Sequence, residues 1–256
     1  MIGGNYRETA KLNTYQIACK SKLIMTNDQQ TTPDEGEVIL INKPITWTSF
    51  DAVNKLKRAC RIKKIGHAGT LDPLATGLLI MCTGKKTKQI DTYQAAEKEY
   101  TGKLVLGKTT PSIDLETAFD ADYPTDHITI ETLQTAVGQL TGTIEQFPPI
   151  FSAIKVGGER LYKKARRGEE AIIKARTVTV SVFEIDAVSF PEISFKIVCT
   201  KGTYIRSLVR DLGQLVGSGA YMSELCRTRI GEFRLENALE LTDYIKIKRE
   251  ELGLVD

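Results

Sequence analysis

Two strand-like segments stand almost end to end: "ARTVTVSVFEIDAVSF" (175–190) and "EISFKIVCTKG" (192–202). Both alternate β-branched or aromatic residues with polar ones, the pattern of a half-buried strand. Only Pro191 separates them. Strands this close pair antiparallel, because a parallel pair needs a crossover of about a dozen residues or more. Further strand patterns lie at "EVILINKP" (37–44), stopped by Pro44, at "GLLIMCTG" (77–84), an apolar run of buried type, and at "KEYTGKLVLG" (98–107). Helical periodicity marks 49–60, 129–142, 203–217 and a closing segment near 241–251, with short strands expected just before that last helix. Ser49 and Thr203 are the N-cap candidates of two of them, and Phe50, Val53, Leu56 and Cys60 are expected along one helix face. Helices mixed with sequence-adjacent strands give an α+β fold, with a mainly antiparallel, mixed central sheet flanked by helices.

The 256 residues fit one large domain at 36–256. The polar segment before it, 1–35, shows no periodicity and is expected to be disordered. No apolar run of about 18 residues predicts a membrane span, and no secretory h-region is visible. Five cysteines (19, 60, 82, 199 and 226) contain no C-x-x-C, which argues against structural zinc and for a reducing, cytoplasmic setting. The net charge is only +3, yet "KLKRACRIKK" (55–64) holds six basic residues and no acid. The segment 155–176 holds eight basic residues and three acids. These stretches read about equally as solvated helix faces and as a footprint for a polyanion. The segment 146–170 opens with Pro148-Pro149 and turns at Gly157-Gly158 before becoming basic, like an excursion from the main body.

Several chemistries are excluded. In "GLLIMCTGKK" the glycines are seven apart and Lys85 precedes Lys86, so the spacing of a phosphate loop is absent. No G-x-G-x-x-G follows a strand, and no G-x-S-x-G is present. Two distant histidines, His67 and His127, make no local metal pair. What remains is Asp72, in "KIGHAGTLDPLATGLL" (64–79). An Asp before Pro is a favoured helix start. Gly77, however, follows within five residues and leaves room for about one turn. A rigid Asp-Pro turn also suits a projecting nucleophile, and local chemistry leaves both readings open. "CTKGTYIRS" (199–207) ends a strand and begins a helix, bringing Tyr204 and Arg206 to a helix N-terminus that favours anions. An arginine beside Asp72 would hold it ionised and oriented.

The segments "INKP", "KIGHAGTLDPLATGLL", "KEYTGKLVLG", "PPIFSAIKVGGERLYKKARRG" and "KGTYIRSLVRDLG" occur in this order. Together they resemble the TruB family of tRNA pseudouridine-55 synthases, over about residues 36–235. The resemblance implies the pseudouridine-synthase fold, with 146–176 as an RNA-clasping insertion. It implies isomerisation of uridine-55 in the tRNA T-loop to pseudouridine, with Asp72 as the catalytic aspartate. Tyr100 matches the tyrosine that stacks on the target base, and Arg206 the arginine paired with the aspartate. Tyr204 and Leu225 match pocket positions, His67 a support for the RNA loop, and Lys43 and Pro44 a segment bordering the site. Lys155, Arg160, Lys163, Lys164, Arg166 and Arg167 would approach phosphates. The implied partner is the T-stem-loop of tRNA, with no guide RNA, membrane, metal or cofactor, and the chain is expected to be a monomer. The chain reads as a short form without the C-terminal RNA-binding domain of longer members. Asn42 departs from the aspartate that many members carry before Lys-Pro. A competing reading is an RNA-binding or RNA-folding module without catalysis, whose mark would be damage at Asp72, Tyr100 or Arg206. A nucleotide-binding α/β enzyme would need the missing phosphate loop.

Overall fold

A computed structural model describes residues 35–254 other than 153, 170, 171 and 188, and describes 155, 156 and 166 by backbone alone. The segment expected to be disordered falls outside the described residues through position 34, as do the side chains of Lys155 and Arg166.

The elements run β1 (Val38–Lys43), α1 (Ser49–Ala59), β2 (Ile65–Ala68), β3 (Ala75–Thr83), a 3-10 turn (Gly84–Gln89), α2 (Ile90–Ala95) and β4 (Lys98–Leu106). After the short pair β5 (Lys108–Thr109) and β6 (Ala121–Asp122) come α3 (Ile130–Gln139) and β7 (Gly142–Gln146). The segment 146–176, expected as an insertion, carries the hairpin β8 (Lys155–Val156) and β9 (Glu159–Arg160), then α4 (Leu161–Arg166). The chain continues with β10 (Arg176–Asp186), β11 (Glu192–Cys199), α5 (Ile205–Leu215) and β12 (Ala220–Ile230). It ends with β13 (Phe233–Arg234), β14 (Leu239–Glu240) and α6 (Leu241–Glu251).

Among the described residues, ten strands form one sheet in the order β14-β1-β3-β12-β4-β11-β10-β7, with β13 on β12 and β2 on β3. β10 and β11 pair antiparallel, with Val182 opposite Val198 and Ile185 opposite Phe195. Only β1–β14 and β3–β12 run parallel among these pairs, so the sheet is mixed and mainly antiparallel.

The apolar run of β3 is buried on both faces, as its lack of alternation requires. Leu79 and Met81 pack with Ile39, Ile41, Ala52, Val53 and Leu56, under α1 and α6. Leu78, Ile80 and Cys82 face the other way, against Leu40 and Ile230, where α2 lends Ile90 and Tyr93. A third cluster seats Leu133 and Val137 of α3 and Leu208 and Leu212 of α5 on Leu104, Val180, Ile193 and Ile197. Each such side chain contributes about 1.5–3 kcal/mol when fully buried. With many of them on both faces, the sheet is a rigid frame for the loops at its ends.

Two helix starts differ from expectation. Thr48, not Ser49, caps α1, in a reciprocal capping box with Asp51. Ser49 is 1% exposed and turns toward Leu71 instead. The buried stripe of α1 runs through Ala52, Val53, Leu56 and Cys60 and leaves Phe50, expected on that face, 65% exposed. At α5 the cap position is Tyr204 rather than Thr203. The Thr203 hydroxyl is spent on Thr200 O at 3.0 Å. The Tyr204 N–H donates to Gln146 Oε1 at 2.8 Å instead.

Candidate active site

Asp72 starts no helix. Ala75 N–H donates to Asp72 O at 3.1 Å, closing a turn with Pro73 at its second position, where the fixed φ of proline is favoured. β3 begins at Ala75. The turn therefore lifts the Asp72 side chain off the sheet into a cleft of about 650 Å³, within the range of small-molecule sites. Its walls include Tyr100 from β4, Leu225 and Arg227 from β12, and Tyr204 and Arg206 from the start of α5.

Arg206 organises the floor. It donates from Nη2 to Asp72 Oδ2 at 2.9 Å and to Phe151 O at 2.8 Å. Nη1 donates to Ser112 O at 2.8 Å, and Nε lies 3.7 Å from Asp114 Oδ2. The contact with Asp72 is thus through one nitrogen, and the remaining donors fix the guanidinium plane. The Arg206 and Asp114 side chains are only 4% and 3% exposed, whereas that of Asp72 keeps 38% through the cleft mouth. Burial raises the Asp72 carboxyl above its ordinary pKa; Arg206 opposes this, and Asp114 and Glu116 add to it. The guanidinium also ties the carboxylate to the root of the insertion at Phe151.

The other predicted positions fall into three groups. Tyr100, Tyr204 and Leu225 line the cleft with Asp72 and Arg206. Burial pushes both tyrosine hydroxyls up, so they are neutral phenols at pH 7. The Tyr204 ring centre lies 5.3 Å from the Arg176 guanidinium, a cation–π distance. His67, on β2 opposite Met81, stands behind the wall with Nε2 3.2 Å from the hydroxyl of Thr70, a lining residue. Burial and the Arg227 charge lower its pKa, so the ring is neutral at pH 7. Lys43 and Pro44 do not reach the cleft wall. The Lys43 ammonium is 0% exposed and donates to the carbonyls of Pro44, Trp47 and Pro73. Burial takes its pKa down to about 8, with Asp72 opposing. Asn42 donates to Glu240 Oε1 at 2.7 Å, a bond that an unprotonated aspartate there would not make.

In the insertion, Arg160 and Lys163 are exposed and Lys164 is half-exposed. Arg167 differs. Its guanidinium is held by Glu159 at 2.8 Å and Glu169 at 2.6 Å, so its charge is matched within the insertion.

Three residues of the site are singled out by no motif or spacing, although Lys98 opens the segment "KEYTGKLVLG". Asp114 lies in a loop without a recognisable motif. Lys98 lines the cleft, is 5% exposed, and donates to carbonyls at the end of α2. Burial, with Arg227 adding, takes its pKa down to about 8. Arg227 is 1% exposed and stands opposite Tyr100 across the β12–β4 pair. Its Nε and Nη2 donate to the backbone carbonyls of Leu78 and Gly69, and the side chain also meets the Tyr100 hydroxyl.

Residues 57–205 match the family model described as TruB family pseudouridylate synthase (N terminal domain). Residues 206–251 match the tRNA pseudouridylate synthase B C-terminal domain. A protein of Phocaeicola vulgatus called tRNA pseudouridine synthase B is 51% identical over 216 residues, covering 82% of this chain and 92% of its own length. One of the same name from Flavobacterium johnsoniae is 52% identical over 221 residues, covering 82% and 96%. Among solved structures, a Cbf5-Nop10-Gar1 complex matches with TM-score 0.66 and 28% identity, over 88% of this chain and 58% of that one. An archaeal box H/ACA sRNP Nop10-Cbf5 complex matches with TM-score 0.63 and 26% identity, over 90% and 62%. The chain therefore spans nearly the full length of these curated relatives but less than two thirds of these solved chains.

Proposed function

The chain belongs to the TruB family of pseudouridylate synthases, and from that premise we propose that it converts uridine-55 in the T-loop of tRNA to pseudouridine. The observation that carries this reading is the single arginine, Arg206, joining Asp72 to buried Asp114 at the floor of a cleft walled by Tyr100, Tyr204 and Leu225.

The reaction breaks the N1–C1′ bond of the uridine and joins C5 to C1′. The proton lost from C5 is balanced by one gained at N1. The sum is redox-neutral, consumes no water and calls for no cofactor. Hydrolytic glycosidases use two carboxylates, one of them to activate water or to be relieved by it. Here water is unwanted, and one working carboxylate held by an arginine fits the task. Asp72 attacks the ribose or base, or takes the C2′ proton. Arg206 keeps it ionised and aimed. Tyr100 stacks on the base, and Tyr204 and Leu225 hold its other sides. His67 supports the loop the base has left. Lys43 and Pro44 act behind the wall, through the loop they border.

The uridine must leave its stack, which costs a few kcal/mol. Phosphate contacts from Arg160, Lys163 and Lys164, joined by Lys155, Arg166 and Arg167, offset that cost. Affinity for RNA should fall as salt rises, and Lys163→Ala or Lys164→Ala should each reduce the slope of log K against log salt by about 0.7–0.9. Arg167→Ala should reduce it less, because Glu159 and Glu169 already match its charge. We further propose that the protein acts on free tRNA, without guide RNA, as a cytoplasmic monomer. The tRNA substrate is supported by the match to relatives named for tRNA over nine tenths of their length.

The pH dependence has a definite sign. Because the Asp72 carboxyl titrates above its ordinary 3.8, its charge is lost earlier as pH falls. Single-turnover rates should therefore decline on the acid side with an inflection above 3.8, while an inflection at or below 3.8 would mean that the Arg206 charge outweighs burial at Asp72. The reading as a whole is tested by incubating unmodified tRNA and a T-stem-loop minihelix with the protein and mapping pseudouridine by mass. Conversion at position 55 in both is expected. Conversion elsewhere, or none, would overturn it.

A further inference from the structure

The loop carrying Asp72 joins the end of β2 at Ala68 to the start of β3 at Ala75. Side chains from three other elements hold it. Gly69 O accepts from Arg227 Nη2 at 2.9 Å. Leu71 is held twice by Ser49: its N–H donates to Oγ at 2.9 Å, and the hydroxyl donates to Leu71 O at 3.3 Å. Pro73 O accepts from Lys43 Nζ at 3.3 Å and from the Thr46 N–H at 2.8 Å. The held residues alternate along the loop, and Asp72 sits between the second and third. Arg227 comes from β12, Ser49 from the first turn of α1 and Lys43 from the end of β1.

These side chains are costly to place. Two are cations at 1% and 0% exposure, and burying a charge is unfavourable unless its donors are satisfied. Both cations are satisfied by main-chain carbonyls: Arg227 also holds Leu78 O at 2.8 Å, and Lys43 holds Pro44 O and Trp47 O. Their donors thus immobilise backbone. Ser49 is the cleanest of the three, because Thr48 already caps α1. Its hydroxyl is not needed for the helix and serves the loop.

We propose that Ser49, Arg227 and Lys43 are positioning residues for Asp72, a three-point clamp that fixes the 69–73 backbone so that the carboxyl enters the cleft already oriented. The proposal rests on Asp72 as the acting carboxylate. Its physical basis is that misplacing a reacting group by about 1 Å can cost about 100-fold in rate, so a supporting shell is part of the site.

The test is Ser49→Ala, with Arg227→Lys as the second variant, measured for single-turnover rate, RNA affinity and hydrogen exchange. Ser49→Ala should lower the rate about 10–100-fold with unchanged Kd. The peptide spanning 69–75 should exchange faster while α1 stays protected. Arg227→Lys, which keeps the charge but loses the fork that spans Gly69 O and Leu78 O, should also slow the reaction and speed exchange over 69–75; because Arg227 lines the cleft, unchanged Kd is required of Ser49→Ala alone. A full rate despite a loosened 69–75 segment would overturn the clamp. So would a joint loss of rate, affinity and α1 protection, which marks general damage to the fold. Asp72→Asn, run in parallel, separates the two levels. An inactive Asp72→Asn beside a fully active Ser49→Ala removes only the clamp, whereas an active Asp72→Asn removes the reading beneath it.

Discussion

Asp72→Asn should lower the rate of pseudouridine formation by about 10²–10⁴-fold, while the protein melts no lower than the wild type. Asparagine keeps the shape of the side chain but has neither the charge nor the basicity to attack the sugar or take its proton, and groups in such roles are worth about 10²–10⁴-fold. The stability half follows from the raised carboxyl pKa. A group whose charged form is disfavoured by burial costs the folded state something when ionised, and a neutral isostere removes that cost. Arg206 would still hold Asp114 nearby and the carbonyls of Ser112 and Phe151. The melting curve and the single-turnover rate of one preparation check both halves. A melt well below the wild type would show instead that the ion pair with Arg206 outweighs the burial cost.

Arg206→Met should be damaging in both respects. Asp114 is 3% exposed on its side chain and would be left without its cation. Removing one partner of a buried pair costs about 3–5 kcal/mol. For a chain of this size that corresponds to a fall in melting temperature of about 6–20 °C. Activity should fall further than stability explains, since Asp72 loses its 2.9 Å contact and the link to Phe151 at the root of the insertion. Arg206→Lys should lie between, because a single nitrogen cannot span the acceptors that Nη1 and Nη2 reach from separate corners of the guanidinium plane. An Arg206→Lys protein with wild-type rate would mean that charge alone matters and that the fixed guanidinium plane does not.

Much of the frame was legible because its strands obey simple periodicities. The apolar run 77–84 is β3 buried on both faces, and the adjacent segments 175–190 and 192–202 hold the antiparallel pair β10–β11. β12 was legible only as one of the short strands expected before the closing helix, although it is 11 residues long and joins the two halves of the sheet between β3 and β4. Its sequence "AYMSELCRTRI" carries Glu224, Arg227 and Arg229, and charges in a central strand contradict the usual pattern. Arg229 finds Glu97 and Arg227 finds carbonyls, partners that only the tertiary structure supplies. Ser49 and Thr48 are neighbouring hydroxyls of nearly equal capping preference. The choice between them was made by Leu71, 22 residues away. Within the site, Asp72 and Arg206 were found by motif, and the structure brings them into contact. Asp114 had no local signature, because its significance is a distance to Arg206.

In the proposed division of labour, Asp72 does the chemistry while the rest of the cleft and the segment 146–176 hold the RNA. A competition experiment separates the two roles. Asp72→Asn protein is titrated into a wild-type reaction on T-stem-loop RNA, with the RNA limiting. The variant should inhibit competitively, with an inhibition constant equal to the wild-type Kd for that RNA, and should form no product alone. Product formed by the variant at the wild-type rate, or no inhibition by a folded variant, would contradict the claim.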